Sequence, residues 1–172
     1  MKKNKEYRKA WESALRLLNY RERSIQELEG RLLEKHYSPP TIDAVIKRLL
    51  ELDLLDDSKF AQLWTRSRVR FKPRSAWLIG RELREKGIAE EIIQQVIEEE
   101  FTPEQELEAA MSLAEKQARR YRGEDPEKAR RKLFAFLARR GFSPDKIWAC
   151  LGEVLNTDSE VQQTGEETDS FL

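Results

Sequence analysis

The sequence predicts an all-α protein, an elongated stack of three tandem three-helix repeats with about nine helices and a disordered acidic C-terminal tail. Charged residues make up 37% of the chain and hydrophobic residues 39%. This balance is typical of helices that each bury one stripe and solvate the rest. No segment shows the strict alternation of a half-buried strand, and capped prolines recur along the chain. The handedness of the stack is left open.

The prolines and their neighbours locate the helices. A proline in the first turn lacks only an N–H that the helix would leave unpaired, so all six prolines are expected at helix beginnings. Capping side chains precede four of them, at Ser38, Thr102, Asp125 and Ser143. The predicted helices cover 5–20, 24–36, 39–52, 57–71, 73–86, 89–100, 103–121, 126–140 and 144–155. The tail, 156–172, is predicted to be disordered because it is acidic and has few apolar groups.

Local patterns predict further caps. Ser24 with Glu27, and Thr102 with Gln105, have the spacing of a capping box, in which two side chains and two backbone N–H groups satisfy each other. The adjacent carboxylates of 56 and 57 are a candidate acid–base pair. Because a helix follows them, they are better interpreted as N-caps.

The chain repeats itself with a period slightly above 50 residues. Lys35-His36-Tyr37-Ser38, Lys86-Gly87-Ile88-Ala89 and Arg140-Gly141-Phe142-Ser143 align without gaps on both flanks. A unit of this length accommodates three helices, which gives repeats 1–53, 54–101 and 102–155. The second residue of each tetrapeptide, His36, Gly87 or Gly141, is predicted to end a helix in the left-handed conformation that glycine adopts without strain.

Four stretches carry a resemblance to a known family. YRERSIQELEGRLLEKHYSPPTIDAVIKRL, LLDDSKFAQLWTRSR, ELREKGIAEEII and FLARRGFSPDKI resemble the RecX family of recombinase regulators, in the right order and over about 12–155. The resemblance implies three three-helix repeats that bind the bacterial recombinase RecA and its DNA filament. It also implies inhibition of the RecA ATPase, strand exchange and coprotease activities in recombination, DNA repair and the SOS response. His36 departs from the family, which usually has glycine there.

The strongest charge feature is the segment 58–81, which holds seven cations and no carboxylate although the whole chain is formally neutral. A solvated face is the simplest explanation. However, all of these cations except Arg81 lack a carboxylate four residues away to offset their repulsion, which favours a bound partner. The sequence therefore predicts a surface for the RecA filament or its DNA, formed by Arg66, Arg68, Arg70, Lys72, Arg74 and Arg81.

Two classes of partner-binding protein remain open. A dedicated nucleic-acid module normally has a pI above about 9, whereas this chain has a pI near 6.7. A helical module that binds nucleic acid through helix 57–71 is therefore the second interpretation, after a RecA filament regulator with at most weak direct DNA binding. Whether such a regulator caps filament ends, lies in the groove or sequesters monomers is left open.

Catalysis, metals and cofactors have little support in the sequence. The chain has one histidine and one cysteine, too few for a zinc site or a paired thiol nucleophile. We expect no cofactor, no membrane segment, a cytoplasmic location and a monomer. Cys150 and all four tryptophans are expected mainly in the core. Large residues of helix 57–71 form its predicted inward stripe: Phe60, Leu63, Trp64, Ser67 and Phe71.

Overall fold

The computed structural model describes residues 2–165, and the side chains of 4–155. These residues form nine α-helices and one short 3-10 helix, with no strand among them, so the all-α prediction is confirmed. The helices are α1 Lys2–Tyr20, α2 Ile25–Glu34, α3 Pro39–Glu51, α4 Asp57–Phe71, α5 Ala76–Glu85, α6 Glu90–Glu100, α7 Pro103–Ala118, α8 Pro126–Ala138 and α9 Pro144–Gly165, with the 3-10 turn at Arg119–Tyr121.

Several helix boundaries differ from the prediction by up to three residues, and the end of α9 differs by ten. α5 begins at Ala76 rather than at 73, because Ser75 caps it by accepting a hydrogen bond from the Leu78 N–H at 3.1 Å. Pro73 therefore lies in the connection before the helix. α9 continues to Gly165, ten residues past its predicted end. The rest of the predicted disordered tail, 166–172, lies outside the described residues.

Packing divides the chain into two compact units. Unit 1 comprises 1–66 and 80–100, and unit 2 comprises 67–79 and 101–172. Each unit has its own buried apolar cluster. The unit 1 cluster is Ala10, Ala14, Leu28, Leu32, Ile42, Val45, Ile46, Leu49 and Leu55. The unit 2 cluster is Ala110, Ala114, Ala118, Leu133, Leu137, Phe142, Ile147, Cys150, Leu151 and Val154.

Equivalent positions of the three repeats are buried alike. The second helix of each repeat buries two residues spaced by one turn, and all six are completely inaccessible: Leu28 and Leu32, Ile79 and Leu83, Leu133 and Leu137. The third helix buries Ile42, Ile93 or Ile147 at its equivalent position. The repeat alignment made from the sequence therefore selects the residues that form the core.

The helix ends at the aligned tetrapeptides are left-handed. His36, Gly87 and Gly141 have φ angles of 62°, 78° and 84°. A non-glycine residue in this region is strained by about 1–2 kcal/mol. The two glycines avoid this strain, whereas His36 does not.

Each glycine also lies against the second helix of the preceding repeat. A Cβ on Gly87 would fall 2.2 Å from the Gln26 side-chain oxygen, and one on Gly141 would fall 2.4 Å from the Ser75 hydroxyl. Close approach and left-handed geometry therefore both require glycine at these positions.

Neighbouring repeats are joined at these same helix ends. In unit 1, the Ser24 hydroxyl donates a hydrogen bond to the Lys86 carbonyl at 2.8 Å and accepts one from the Glu27 N–H at 3.1 Å. In unit 2, the Ser75 N–H donates to the Arg140 carbonyl at 2.9 Å. An N-capping serine thus holds the end of the next repeat's second helix in both units. We call this contact the serine joint.

Candidate interaction surfaces

The buried face of α4 is formed by small residues rather than by the predicted stripe. Phe60 is buried as predicted, but its buried neighbours are Ala61 and Thr65. Leu63 is 43% exposed and Phe71 is 70% exposed, so the predicted stripe is wrong at these positions.

The first helices of the other two repeats have the same kind of buried face. They also bury small residues one turn apart, Ala10 with Ala14 in α1 and Ala110 with Ala114 in α7. Small side chains let helix backbones approach closely. Choosing the largest apolar residues as the inward stripe therefore selects part of the exposed face.

Two of the six predicted partner-binding cations lie in unit 1 and have carboxylate partners there. Arg66 contacts Glu100 at the end of α6, with 2.7 Å between guanidinium nitrogen and carboxylate oxygen. This hydrogen bond, with the adjacent negative charge, raises the pKa of Arg66. Arg81 lies 3.5 Å from Glu85, one turn along α5. The acidic end of α6 therefore screens part of the basic segment.

The other four predicted cations lie in unit 2, and two of them are exposed without a carboxylate. Arg70 and Lys72 have no carboxylate oxygen within 4 Å in the described part of the chain. The Arg70 guanidinium lies 5.3 Å from the centre of the exposed Phe71 ring. The end of α4 thus combines two unneutralised cations with an accessible aromatic ring.

Additional cations of unit 2 lie close to this segment. Burial lowers the pKa of Arg140, and the like charges of Arg139 and Arg74 lower it further. The Arg140 guanidinium lies 3.8 Å from the centre of the Phe136 ring. We call the unit 2 set, consisting of Arg70, Lys72, Arg74, Arg139 and Arg140, the basic cluster.

The basic cluster contains two cations outside the predicted set. Arg139 and Arg140 belong to the segment 116–140, which holds ten cations and three acids. That excess of positive charge is the sequence signal for them. Arg68, the remaining predicted residue, is partly buried, and this burial lowers its pKa.

Two tryptophans lie at the surface rather than in the core. Trp77 is 61% exposed and Trp148 is 51% exposed. Trp148 packs on Phe134 with 5.0 Å between ring centres, and the Arg130 guanidinium lies 5.7 Å from its ring. Trp64 is partly buried, and its indole N–H donates to Glu82 at 2.9 Å. The prediction of core tryptophans is therefore wrong for Trp77 and Trp148.

The paired carboxylates cap two different helices. Asp56 accepts hydrogen bonds from the Ser58 and Lys59 N–H groups at the start of α4. Asp57 instead accepts from the Ile25 N–H at the start of α2, at 2.9 Å. Burial raises the pKa of Asp57, as does the charge of Asp56.

Other features of the described residues concern metals, thiols and membranes. Within the part of the chain that the structure covers, no three histidine, cysteine or acidic side chains are arranged to hold a metal ion. Cys150 is completely buried, and burial raises the pKa of its thiol. None of the described helices has both the length and the hydropathy needed to cross a membrane.

Family models match the three repeats in order. Residues 10–49, 56–97 and 104–151 match the first, second and third three-helix domains of RecX. A protein named "Regulatory protein RecX" from Prosthecochloris aestuarii is 38% identical over 148 residues, covering 86% of this chain and 95% of the relative. One from Bacillus cereus is 33% identical, covering 93% of this chain and 59% of the relative.

Solved structures show the same similarity. The crystal structure of RecX from Lactobacillus salivarius aligns with a TM-score of 0.75 at 27% identity, covering 88% of this chain and 97% of the other. A second structure, described as regulatory protein RecX, aligns with a TM-score of 0.77 at 28% identity, covering 86% of this chain and 74% of the other.

Proposed function

This chain belongs to the RecX family of regulatory proteins, and on that premise we propose that it regulates homologous recombination and DNA repair by binding RecA. The partner is the RecA nucleoprotein filament, and binding inhibits its ATPase, strand exchange and coprotease activities. The chain acts by occupying a surface and catalyses no reaction. Because the bacterial chromosome lies in the cytoplasm, the chain acts there. It acts as a monomer.

The basic cluster of unit 2 carries this proposal. Arg70 and Lys72 are exposed and have no carboxylate within 4 Å among the described residues. Their charge is therefore available to an acidic protein surface or to phosphates, both of which a nucleoprotein filament presents. Complementary charges of this kind raise the rate of encounter and fix the register of a complex.

The six predicted residues contribute unequally in this proposal. Arg70 and Lys72 make the main contacts, and Arg74 adds to the positive charge of the basic cluster beside them. Arg66 and Arg81 already have carboxylate partners, so a filament would have to displace Glu100 or Glu85 to use them fully. Arg68 is partly buried, which makes it a supporting residue.

Binding to nucleic acid alone is the second candidate function. The exposed Phe71 ring beside Arg70 favours it, because ring faces and cations together bind single strands. The neutral net charge of the chain favours the filament instead, since acidic helices would oppose a purely phosphate ligand.

Co-sedimentation distinguishes these candidates. The chain should pellet with RecA filaments assembled on single-stranded DNA in the presence of a slowly hydrolysed nucleotide. It should remain in the supernatant with the same DNA and no RecA. Equal binding to naked DNA would make the chain a nucleic-acid module. Recovery only with DNA-free RecA would indicate sequestration of monomers.

A further inference from the structure

Unit 1 contains a small cavity whose charged lining residues are all basic. It lies beside the C-terminal ends of α1 and α2 and has a volume of about 210 Å³. Its lining residues are Ser13, Arg16, Leu17, Tyr20, Arg23 and Lys35. This cavity is smaller than the roughly 300–1,000 Å³ pockets that hold drug-sized molecules. It suits one polar group of a larger ligand.

Arg23 is the one buried residue among the three cations that line this cavity. It is only 8% exposed, and its Nε donates to the Leu17 carbonyl at 3.2 Å. No carboxylate oxygen of the described residues lies within 4 Å of its guanidinium. Burial lowers the pKa of Arg23, and the like charge of Arg21 lowers it further. A buried arginine is normally paired, so this one lacks its usual counter-charge.

The nearby acid does not fill that role. Glu27 is the carboxylate whose charge acts on Arg23. Its oxygens are already bound, however, to Arg21 at 2.8 Å and to Lys86 at 2.5 Å.

A purely structural role accounts for only one of the hydrogen-bond donors of Arg23. The Leu17 carbonyl belongs to the last turn of α1, so the Nε hydrogen bond satisfies one of its open acceptors. That role uses one of the five N–H donors of the guanidinium. The Nη groups make no hydrogen bond to the described residues. They remain available to a ligand in the cavity.

The other lining side chains fit an anion. Arg16 and Lys35 have no ion pair within 4 Å in the described part of the chain. The Arg16 guanidinium donates to the Ser13 hydroxyl at 3.3 Å, and that hydroxyl lies 2.9 Å from the Tyr37 hydroxyl. Arg16 and Lys35 line the same cavity as the buried Arg23. Two guanidinium groups and an ammonium can bind the oxygens of a tetrahedral anion with charge-assisted hydrogen bonds.

We propose that this cavity binds the phosphate of one nucleotide unit, with the base stacked on Tyr20. Tyr20 lines the cavity and is 84% exposed, so its ring face is accessible to a base. Stacking on an exposed ring beside cations is how single-stranded nucleic acids are commonly bound. Single-stranded DNA or a free nucleotide could supply this unit. The site is separate from the basic cluster and does not depend on the function proposed above, because it requires no RecA.

Nuclear magnetic resonance can test the site locally. Arg23 Nε–H is buried and hydrogen-bonded, so its signal reports on the cavity and not on the basic cluster. We expect inorganic phosphate, added at constant ionic strength against chloride, to shift this signal saturably. Arg16→Gln combined with Lys35→Gln should weaken the phosphate affinity about tenfold or more, because it removes two charge-assisted contacts.

Arg8→Gln combined with Arg48→Gln is the matched control. Both residues are exposed and lie in unit 1 outside the cavity. Their substitution removes the same charge as the Arg16 and Lys35 pair. This pair should leave the affinity within about twofold, since distant exposed charges are screened. Equal losses in the two pairs, or no saturable shift in the parent chain, would overturn the proposal.

Titration with two further ligands distinguishes single-stranded nucleic acid from a free nucleotide as the source of the phosphate. Oligothymidylate and thymidine monophosphate are titrated against the same Arg23 signal. Tighter binding of the oligonucleotide, weakened by Tyr20→Leu, assigns the site to single-stranded nucleic acid. Equal affinity per nucleotide assigns it to a free nucleotide. If Tyr20→Leu changes neither affinity, the stacking part of the proposal is wrong.

Discussion

Single residues at the helix ends determine how closely the repeats can approach each other. Gly87 combines a φ of 78° with a missing side chain that would otherwise collide with Gln26. His36 has the same left-handed geometry after α2 in the first repeat but is exposed. The tetrapeptide alignment predicted the equivalence of these positions, but the sequence could not show what each one contacts.

Gly87→Ala should lower the free energy of unfolding by about 1–2 kcal/mol, because it places a Cβ in a left-handed residue beside the Gln26 side chain. Chemical denaturation with a tryptophan fluorescence readout measures this change. Gly30→Ala is the matched control, since Gly30 lies inside α2 and an added Cβ would meet nothing within 4 Å. It should raise stability by up to about 1 kcal/mol through helix propensity. Similar effects of the two substitutions would contradict the role assigned to Gly87.

Glu27 connects stability to pH. Burial raises its pKa, but hydrogen bonds from Arg21 and Lys86 more than offset burial, so the pKa is lowered overall. Its stabilisation is therefore present above the unfolded-state pKa and is lost as the pH falls through the folded-state pKa. Glu27→Gln should cost about 1–2 kcal/mol at pH 7 and should reduce the loss of stability between pH 5 and pH 3 (about the range in which glutamate titrates).

Asp57 provides the comparison of opposite sign. Burial raises its pKa, so acidification relieves the cost of its buried charge. Asp57→Asn should therefore make the acid loss steeper. Melting temperatures of both variants, measured from about pH 3 to pH 7, test these opposite signs. A change of the acid loss in the same direction in both variants would contradict the roles assigned to Glu27 and Asp57.

At the scale of the elements, capping residues and prolines predicted nine helices, while two features depended on packing. α5 begins after Ser75 because that serine both caps the helix and contacts Arg140, a residue 65 positions later in the chain. The buried face of α4 follows Ala61 and Thr65, since small residues allow close helix contact. Neither feature can be recognised from local periodicity, because both depend on residues from another part of the fold.

The serine joint can be tested at Ser24. Ser24→Ala removes the N-cap of α2 and the hydrogen bond to the Lys86 carbonyl. It should lower the unfolding free energy by about 1–2 kcal/mol. Ser58→Ala is the control, because Ser58 is exposed in the first turn of α4 and its hydroxyl makes no hydrogen bond to the described residues. Its effect should stay below about 0.5 kcal/mol. If both substitutions lower the unfolding free energy equally, the serine joint contributes nothing beyond the loss of a hydroxyl group.

For the whole molecule, the sequence indicated segregated charge but not which charges are neutralised. Arg66 and Arg70 are one turn apart on α4 and look equivalent in the sequence. The structure pairs Arg66 with Glu100, 34 residues away, and leaves Arg70 without a carboxylate partner within 4 Å among the described residues. Long-range ion pairs depend on the fold. The sequence therefore predicts the basic segment, but it does not show which of its cations lack a carboxylate partner.

Inhibition of the RecA ATPase by charge variants tests the central claim most directly. Arg70→Gln combined with Lys72→Gln should raise the concentration needed for half inhibition about tenfold or more, because two contacts to a complementary surface are lost. Arg31→Gln combined with Arg48→Gln removes the same charge from α2 and α3. It should inhibit as well as the parent chain, and all three proteins should melt alike, since exposed charges contribute little to folding. If the Arg70 and Lys72 variant inhibits RecA as well as the parent, the basic cluster does not bind the filament.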